Sequence, residues 1–335
     1  MFRKFIESRE QHYYGRDPHR ESFPFAWGAD LLGLSANGNA AMVLNDFASE
    51  AIRSSHEFYA YPAASDYSFK DGILKFSSGI RTQYPENNTV WGRVFEGDSD
   101  LGMVVLPQWN CDWEGHVKLC RLLQQAGITS VRLSMPYHHH RMPADSKRPE
   151  YMVSPNIGQT LQATQQAVWD TRMAADWLLA RGCKRLAILG TSLGSCVAFL
   201  ALAHDQRFSA GVFIHASSFF ADVVWNGLST QHVRKSLEGR IEPSQLRHLW
   251  SPISPYPFIK RLDGTKRPIL LFAGRYDPTF LPHLSQQAFD EIARYDIPHE
   301  RHWLSCGHYT IGRFPFNAVV AQKTLRFIRQ VRDRR

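Results

Sequence analysis

The spacing of apolar and polar positions changes near residue 102. Before that point, residues 69–76 and 89–95 alternate apolar and polar side chains. That period-two pattern predicts two antiparallel strands at a sheet edge. After it, short apolar runs alternate with longer helical stretches, the order that builds a parallel sheet with crossover helices. Residues 103–106 predict the first buried strand. Asp112 is placed to cap a helix with Leu119, Leu122, Leu123 and Ala126 on one face, stopped by Gly127. Residues 128–135 predict the next strand, 159–181 a long helix closed by Gly182, 186–189 a short buried strand and 195–203 a buried helix. Further strands follow at 211–215, 268–273 and 300–304, and residues 316–332 predict a closing helix.

Two regions depart from this rhythm. Residues 218–265 hold Phe219, Phe220, Trp225, Trp250, Pro252, Pro255 and Pro257 among many charges. They read as an insertion over the sheet, either a lid or a peripheral helical decoration. Residues 1–65 are rich in aromatic, His and Ala residues with patchy helical periodicity. They read as an extension packed on the core, covering a sheet edge or completing a pocket. Residues 66–335 then form the main domain, with the insertion at about 218–265.

Composition adds limits. At 335 residues, 44% hydrophobic and 21% charged, the chain has the profile of a soluble globular protein. No apolar run reaches the 18 or so residues of a membrane span, and the first residues lack the apolar core of a signal peptide. Five scattered cysteines without a C-x-x-C pair fit free thiols in a reducing compartment, so a cytoplasmic location is expected. The net charge of +8 is spread along the chain, with one concentration at Arg326, Arg329, Arg332, Arg334 and Arg335. Cations there suit the negative end of a last helix. No nucleic-acid-binding signature accompanies the charge, so no nucleic-acid partner is expected.

The chemistry centres on Gly190-Thr191-Ser192-Leu193-Gly194. G-x-S-x-G is common by chance, but here an apolar strand precedes it and a buried helix follows. A serine at such a strand–turn–helix junction is held in a strained backbone with its hydroxyl above the sheet edge. Serine is a poor nucleophile at neutral pH and needs a base within reach and a third group to orient that base. Asp277, in Gly274-Arg275-Tyr276-Asp277-Pro278, follows an apolar strand. His308, in Cys306-Gly307-His308-Tyr309, lies between the last strand and the last helix. Both fall in loops at strand carboxyl ends, where an α/β sheet keeps its chemistry. His302 is near, but it falls within the last strand.

With the order Ser192, Asp277, His308, residues of about 70–335 resemble the α/β-hydrolase superfamily. The resemblance implies a mostly parallel twisted sheet of about eight strands, with helices on both faces and a helical lid. It implies Ser192 as nucleophile, His308 as general base and Asp277 as the acid. Some members take the acid from the preceding strand, which leaves Asp222 as the alternative. It also implies an oxyanion hole from the amide of Leu193 and one amide of the loop after the 103–106 strand. The family often carries His-Gly in that loop. This chain has Pro107-Gln108-Trp109-Asn110 instead, and Trp109 takes the equivalent place. Trp109 serves equally as a wall of an acyl pocket or as a core side chain.

The run Pro136-Tyr137-His138-His139-His140-Arg141-Met142-Pro143 follows a strand and should border the site. Three consecutive histidines point in different directions and do not readily share one ion, so no metal is expected. The Pro-Tyr-x-x-x-Arg-x-Pro pattern is similar to one in a poorly characterised branch of the superfamily. Tyr137 and Arg141 are candidate substrate contacts; a structural ion pair is the other reading of Arg141.

The sequence thus predicts a serine hydrolase that cleaves a carboxylic ester or thioester of a small-molecule substrate, without a cofactor. Cleavage of an amide or peptide bond by the same residues, and a binding protein on a hydrolase fold, are the rival readings.

Overall fold

Nine strands share one sheet in a computed structural model of the chain, which describes residues 1–17, 19–35 and 38–333. In chain order they are β1 (Ser68–Lys70), β2 (Ile73–Ser77), β3 (Thr89–Phe95), β4 (Leu101–Leu106), β5 (Thr129–Leu133), β6 (Arg185–Thr191), β7 (Phe208–Ile214), β8 (Ile269–Gly274) and β9 (His299–Leu304). Their order across the sheet is β1-β2-β3-β5-β4-β6-β7-β8-β9. The first three and the β3–β5 pairing are antiparallel, and all later pairings are parallel.

The expected eight strands are nine because residues 69–76 do not form one strand. Asp71 and Gly72 both have positive φ, 51° and 74°, and fold the segment into a two-residue hairpin. An Asp-Gly pair between alternating strands is the usual cue for that turn.

Helices flank the sheet. The N-terminal region carries α1 (Phe2–Gly15), α2 (Ala40–Arg53) and the one-turn α3 (Ser55–Phe58). The crossovers are α4 (Val117–Gln125), α5 (Ile157–Ala180) and α6 (Leu193–His204). Residues 218–265 contain α7 (Phe220–Asn226), α8 (Gln231–Leu237) and α9 (Pro243–Leu249) with 3₁₀ turns between and after them; α10 (Pro282–Ile292) and α11 (Phe316–Asp333) follow. The helix after β4 starts later than expected. Asp112 does not cap it; His116 precedes its first turn with φ 68°. The loop before it is pinned by Arg132, which donates to the carbonyls of Asp112 and Gly115. Its buried face is accordingly Val117, Cys120 and Leu123, while Leu122 faces outward.

Strand periodicity divides the core in two. Met103 and Val105 of β4, with Ala187 and Leu189 of β6, point toward α4 and α11. Val104 and Leu106, with Leu186 and Ile188, point toward α5, α6, α2 and the insertion. Both faces of these parallel strands are covered, which is why they read as unbroken apolar runs. Among the described residues no helix is long and apolar enough to cross a membrane. Arg326 pairs with Glu300, and Arg332 reaches the Ala126 carbonyl. Arg334 and Arg335 of the expected C-terminal cation cluster lie outside the described residues.

Candidate active site

Ser192 stands between β6 and α6 with φ 56° and ψ −120°, a conformation that L-residues seldom adopt. Two close approaches hold it there. A Cβ on Gly190 would lie 2.0 Å from the Gly194 carbonyl oxygen, and one on Gly194 would lie 2.4 Å from that of Pro107. Only glycine fits either position. The Ser192 amide donates to the Ile214 carbonyl at 2.7 Å, and the Ser195 hydroxyl donates at 2.7 Å to the carbonyls of both Ser192 and His215. The turn is therefore tied to the end of β7 from two sides.

The structure brings Ser192, His308 and Asp277 into one chain of contacts. The Ser192 hydroxyl lies 3.0 Å from His308 Nε2, and His308 Nδ1 lies 3.1 Å from Asp277 Oδ2. The other Asp277 oxygen accepts from the amides of Thr279 and Phe280, both at 2.8 Å. Those two bonds fix the carboxylate to its own turn, so the remaining oxygen is presented to the histidine. Asp222 goes elsewhere. It sits in α7 and pairs with Arg247 at 2.8 Å.

The electrostatics follow from burial. Desolvation works against the His308 imidazolium, but the Asp277 charge and its hydrogen bond outweigh it and hold His308 above the ordinary histidine value. Desolvation likewise opposes charge on Asp277, and the neighbouring His308 and His215 more than offset it, so the carboxyl sits well below the usual range. His308 is thus held more basic than an ordinary histidine while Asp277 stays ionised.

His215 is a residue that the sequence reading missed as part of this site. It directly follows β7 with φ 63°, is 1% exposed, and places Nδ1 2.8 Å from the same Asp277 oxygen. Its ring lies 4.3 Å from that of His308. Burial first, and then the His308 charge, keep it below the ordinary histidine value. The available signal was position: a histidine at a strand's carboxyl end, as for Asp277 and His308.

Leu193 opens α6 directly after Ser192 and lines the same cavity, and as the first residue of the helix its amide has no acceptor within it. Trp109 is placed differently from a core tryptophan. Its indole donates to the Pro149 carbonyl at 2.9 Å, and its ring contacts the Arg148 guanidinium at 4.2 Å and a nearly parallel His232 ring at 5.6 Å, two groups that also meet each other at 3.4 Å. Arg148 pairs in turn with Asp17 and Glu150, and Glu150 contacts His232 at 3.0 Å. The following amide, of Asn110, is used by His138 Nε2 at 3.1 Å.

A cavity of about 870 Å³ opens at Ser192 and His308. Trp109 borders it, and Phe219, Phe220 and Val223 of the insertion line it beside Phe199 and Ile259. Trp250 of the insertion is fully buried and packs edge-on against Phe220, so it belongs to the core rather than the pocket.

Tyr137 and Arg141 do not reach this cavity, which corrects their expected role as substrate contacts. Arg141 is fully buried, pairs with Asp170 at 2.8 Å, and donates to the carbonyls of Asn87 and Ser134. The Tyr137 hydroxyl accepts from Gln159, and its ring packs against Tyr84 and Tyr151. The histidines between them diverge. His138 faces the Pro136 carbonyl and the Asn110 amide, His139 the Ser134 hydroxyl and the Cys111 carbonyl, and His140 the rings of Trp91 and Trp113. Tyr137 and His139 both have positive φ in this tight turn, which buries Tyr137, His138 and Arg141 and leaves His140 exposed.

Comparison with known proteins identifies the family and the fold. The prolyl oligopeptidase family matches residues 157–332, a little over half of the chain. No curated protein matches it. Among solved structures, the acetyl xylan esterase from Paenibacillus sp. R4 is similar with a TM-score of 0.59 at 15% identity, over 84% of this chain and 93% of that one. The acylaminoacyl peptidase of Pyrococcus horikoshii gives 0.58 at 14% identity, over 84% of this chain and 43% of that one, so this chain spans less than half of the peptidase. Est1E from Butyrivibrio proteoclasticus, solved with ferulic acid, gives 0.53 at 12% identity, over 79% and 98%. At these identities the likeness is one of fold, and the fold is that of the α/β-hydrolases.

Proposed function

The chain belongs to the prolyl oligopeptidase family of serine hydrolases, and on that premise we propose that it cleaves a carboxylic ester or thioester with an apolar acyl group. One observation carries this reading: the Ser192–His308–Asp277 chain of contacts, at 3.0 and 3.1 Å, opens into an apolar-lined cavity.

The steps follow from the contacts. His308 Nε2 takes the Ser192 proton as the hydroxyl oxygen attacks the acyl carbonyl. Asp277 keeps the proton of His308 on Nδ1 and stabilises the imidazolium that forms. The amides of Leu193 and Trp109 receive the developing oxyanion. His308 then returns its proton to the leaving alcohol or thiol, and the acyl group rests on Ser192. A water, activated by the same imidazole, releases the acid. Residues 218–265 act as a lid whose first helix walls the acyl pocket. Nothing in this sequence of steps calls for a cofactor. Buried free thiols suit a reducing compartment, which makes the cytoplasm the proposed location.

The family match favours a second reading, cleavage of a peptide or amide bond by the same residues. Labelling with a fluorophosphonate probe tests the chemistry, and a substrate panel separates the two readings. Native protein should label, and Ser192→Ala and His308→Ala should not. Turnover of acyl esters with none of acyl-amide or peptide counterparts supports the ester reading, whereas the opposite pattern overturns it. A folded native protein that does not label overturns both.

A further inference from the structure

Helix α1 inserts one carboxylate beside the candidate base. Glu10 lies on its inner face and is 0% exposed. Glu10 Oε2 accepts from the Tyr309 amide and Oε1 from the Thr310 amide, each at 2.9 Å. These are the two residues directly after His308, at the start of a short 3₁₀ turn (Thr310–Gly312). The residue before His308 completes the cradle. A Cβ on Gly307 would lie 2.4 Å from the Glu10 side chain, so only glycine lets the loop close around it. The Gly307 amide in turn donates to the Thr310 hydroxyl at 2.8 Å. One turn further along α1, the Tyr13 ring stands 6.5 Å from that of Tyr309.

The loop that carries His308 is therefore wrapped around a buried side chain from 298 positions away in the chain. A buried carboxylate is costly unless its oxygens are paired, and charged acceptors make the stronger hydrogen bonds. Here both partners are backbone amides of the His308 loop. This places the cost and the pairing at the one loop whose position decides whether Nε2 meets Ser192. A helix end held only by packing would need no buried charge.

We propose that Glu10 is a positioning residue for His308, so that the N-terminal helix is a working part of the active site rather than a cover for the sheet edge. The inference rests on the proposed hydrolase reading, in which His308 is the base. Glu10 acts in two ways. Its two hydrogen bonds set the height of the His308 loop, and its negative charge favours the imidazolium that forms during acyl transfer. Small misplacements of a reacting group carry large rate costs.

The test compares native protein with Glu10→Gln, Glu10→Asp and Glu10→Ala, reading fluorophosphonate labelling rate, kcat, KM and the pH dependence of kcat/KM. Gln has the shape of Glu but lacks the charge and one acceptor. Labelling rate and kcat of Glu10→Gln should fall about tenfold with KM nearly unchanged. Loss of the negative charge lowers the His308 value, so the acid limb of kcat/KM should move to lower pH. Glu10→Asp should restore the acid limb toward its native position, since the charge is kept. Thermal unfolding of each variant separates loss of fold from loss of position. If Glu10→Gln and Glu10→Ala remain folded, with native labelling rate, kcat and acid limb, the proposal is overturned. So it is if the loss scales only with the unfolded fraction. A native protein that does not label at all is a different outcome, because it removes the hydrolase reading on which Glu10 depends.

Discussion

His215 Nδ1 lies 2.8 Å from Asp277 Oδ2, the same carboxylate oxygen that faces His308 Nδ1 at 3.1 Å. Two histidines thus draw on one carboxylate. The His215 contact is off-line for a strong hydrogen bond, and its Nε2 has no acceptor among the described residues, so it acts on Asp277 chiefly through its N–H dipole. It makes the carboxylate less able to stabilise the His308 imidazolium. In His215→Ala that competition is gone and the His308 value rises. The acid limb of kcat/KM should therefore move to higher pH, opposite to the shift expected for Glu10→Gln. An unmoved limb in a folded His215→Ala protein would sink this account.

The native profile follows from the same charges. His308 works as a base only when neutral, and its value is held above the ordinary histidine figure of about 6.5. Activity should therefore be lost as pH falls through a value above about 6.5. Asp277 stays ionised throughout this range and adds no second acid limb. A half-activity point on the acid side below about pH 6 contradicts the assignment.

The two candidate acids make opposite predictions. Asp277→Asn keeps the shape but lets Nδ1 of His308 lose its proper partner, and kcat should drop roughly 10⁴-fold. Asp222→Asn breaks a pair with Arg247, whose side chain is half exposed, and should cost less than about 1 kcal/mol with activity within a few-fold of native. The reverse ranking of the two variants would return the acid role to Asp222.

Arg141 is expected to matter for stability and not for chemistry. Arg141→Met leaves Asp170 buried without its cation, at a cost of about 3–5 kcal/mol. Denaturant unfolding should show that loss, while KM of the folded fraction stays native. A rise in KM without loss of stability would restore Arg141 as a substrate contact.

Trp109 separates backbone from side chain. Trp109→Ala keeps the amide and removes the ring that borders the cavity and packs on Arg148 and His232, so KM should change more than kcat. Trp109→Pro removes the N–H donor, and kcat should fall roughly 10²- to 10³-fold. Equal kcat in two folded variants would place the second oxyanion donor elsewhere.

Periodicity and motif made much of this protein legible in its sequence. The parallel strands are apolar runs because both faces are covered, and that order of elements can be read without coordinates. The Ser192 turn is legible as a motif because Gly190, Ser192 and Gly194 lie within five residues, although its close approaches also involve Pro107 and Ile214 from elsewhere in the chain. Asp277 and His308 sit in loops after β8 and β9, positions that the element pattern already marks. Tertiary structure decided what depends on side chains from distant segments. It sent Arg141 to Asp170 and to the carbonyls of Asn87 and Ser134 rather than to the cavity. It joined His215 to Asp277, and it brought Glu10 against the His308 loop across 298 positions. Composition and periodicity carry no record of such pairings. A buried charge is placed by the partner that satisfies it, and that partner is known only once the chain has closed.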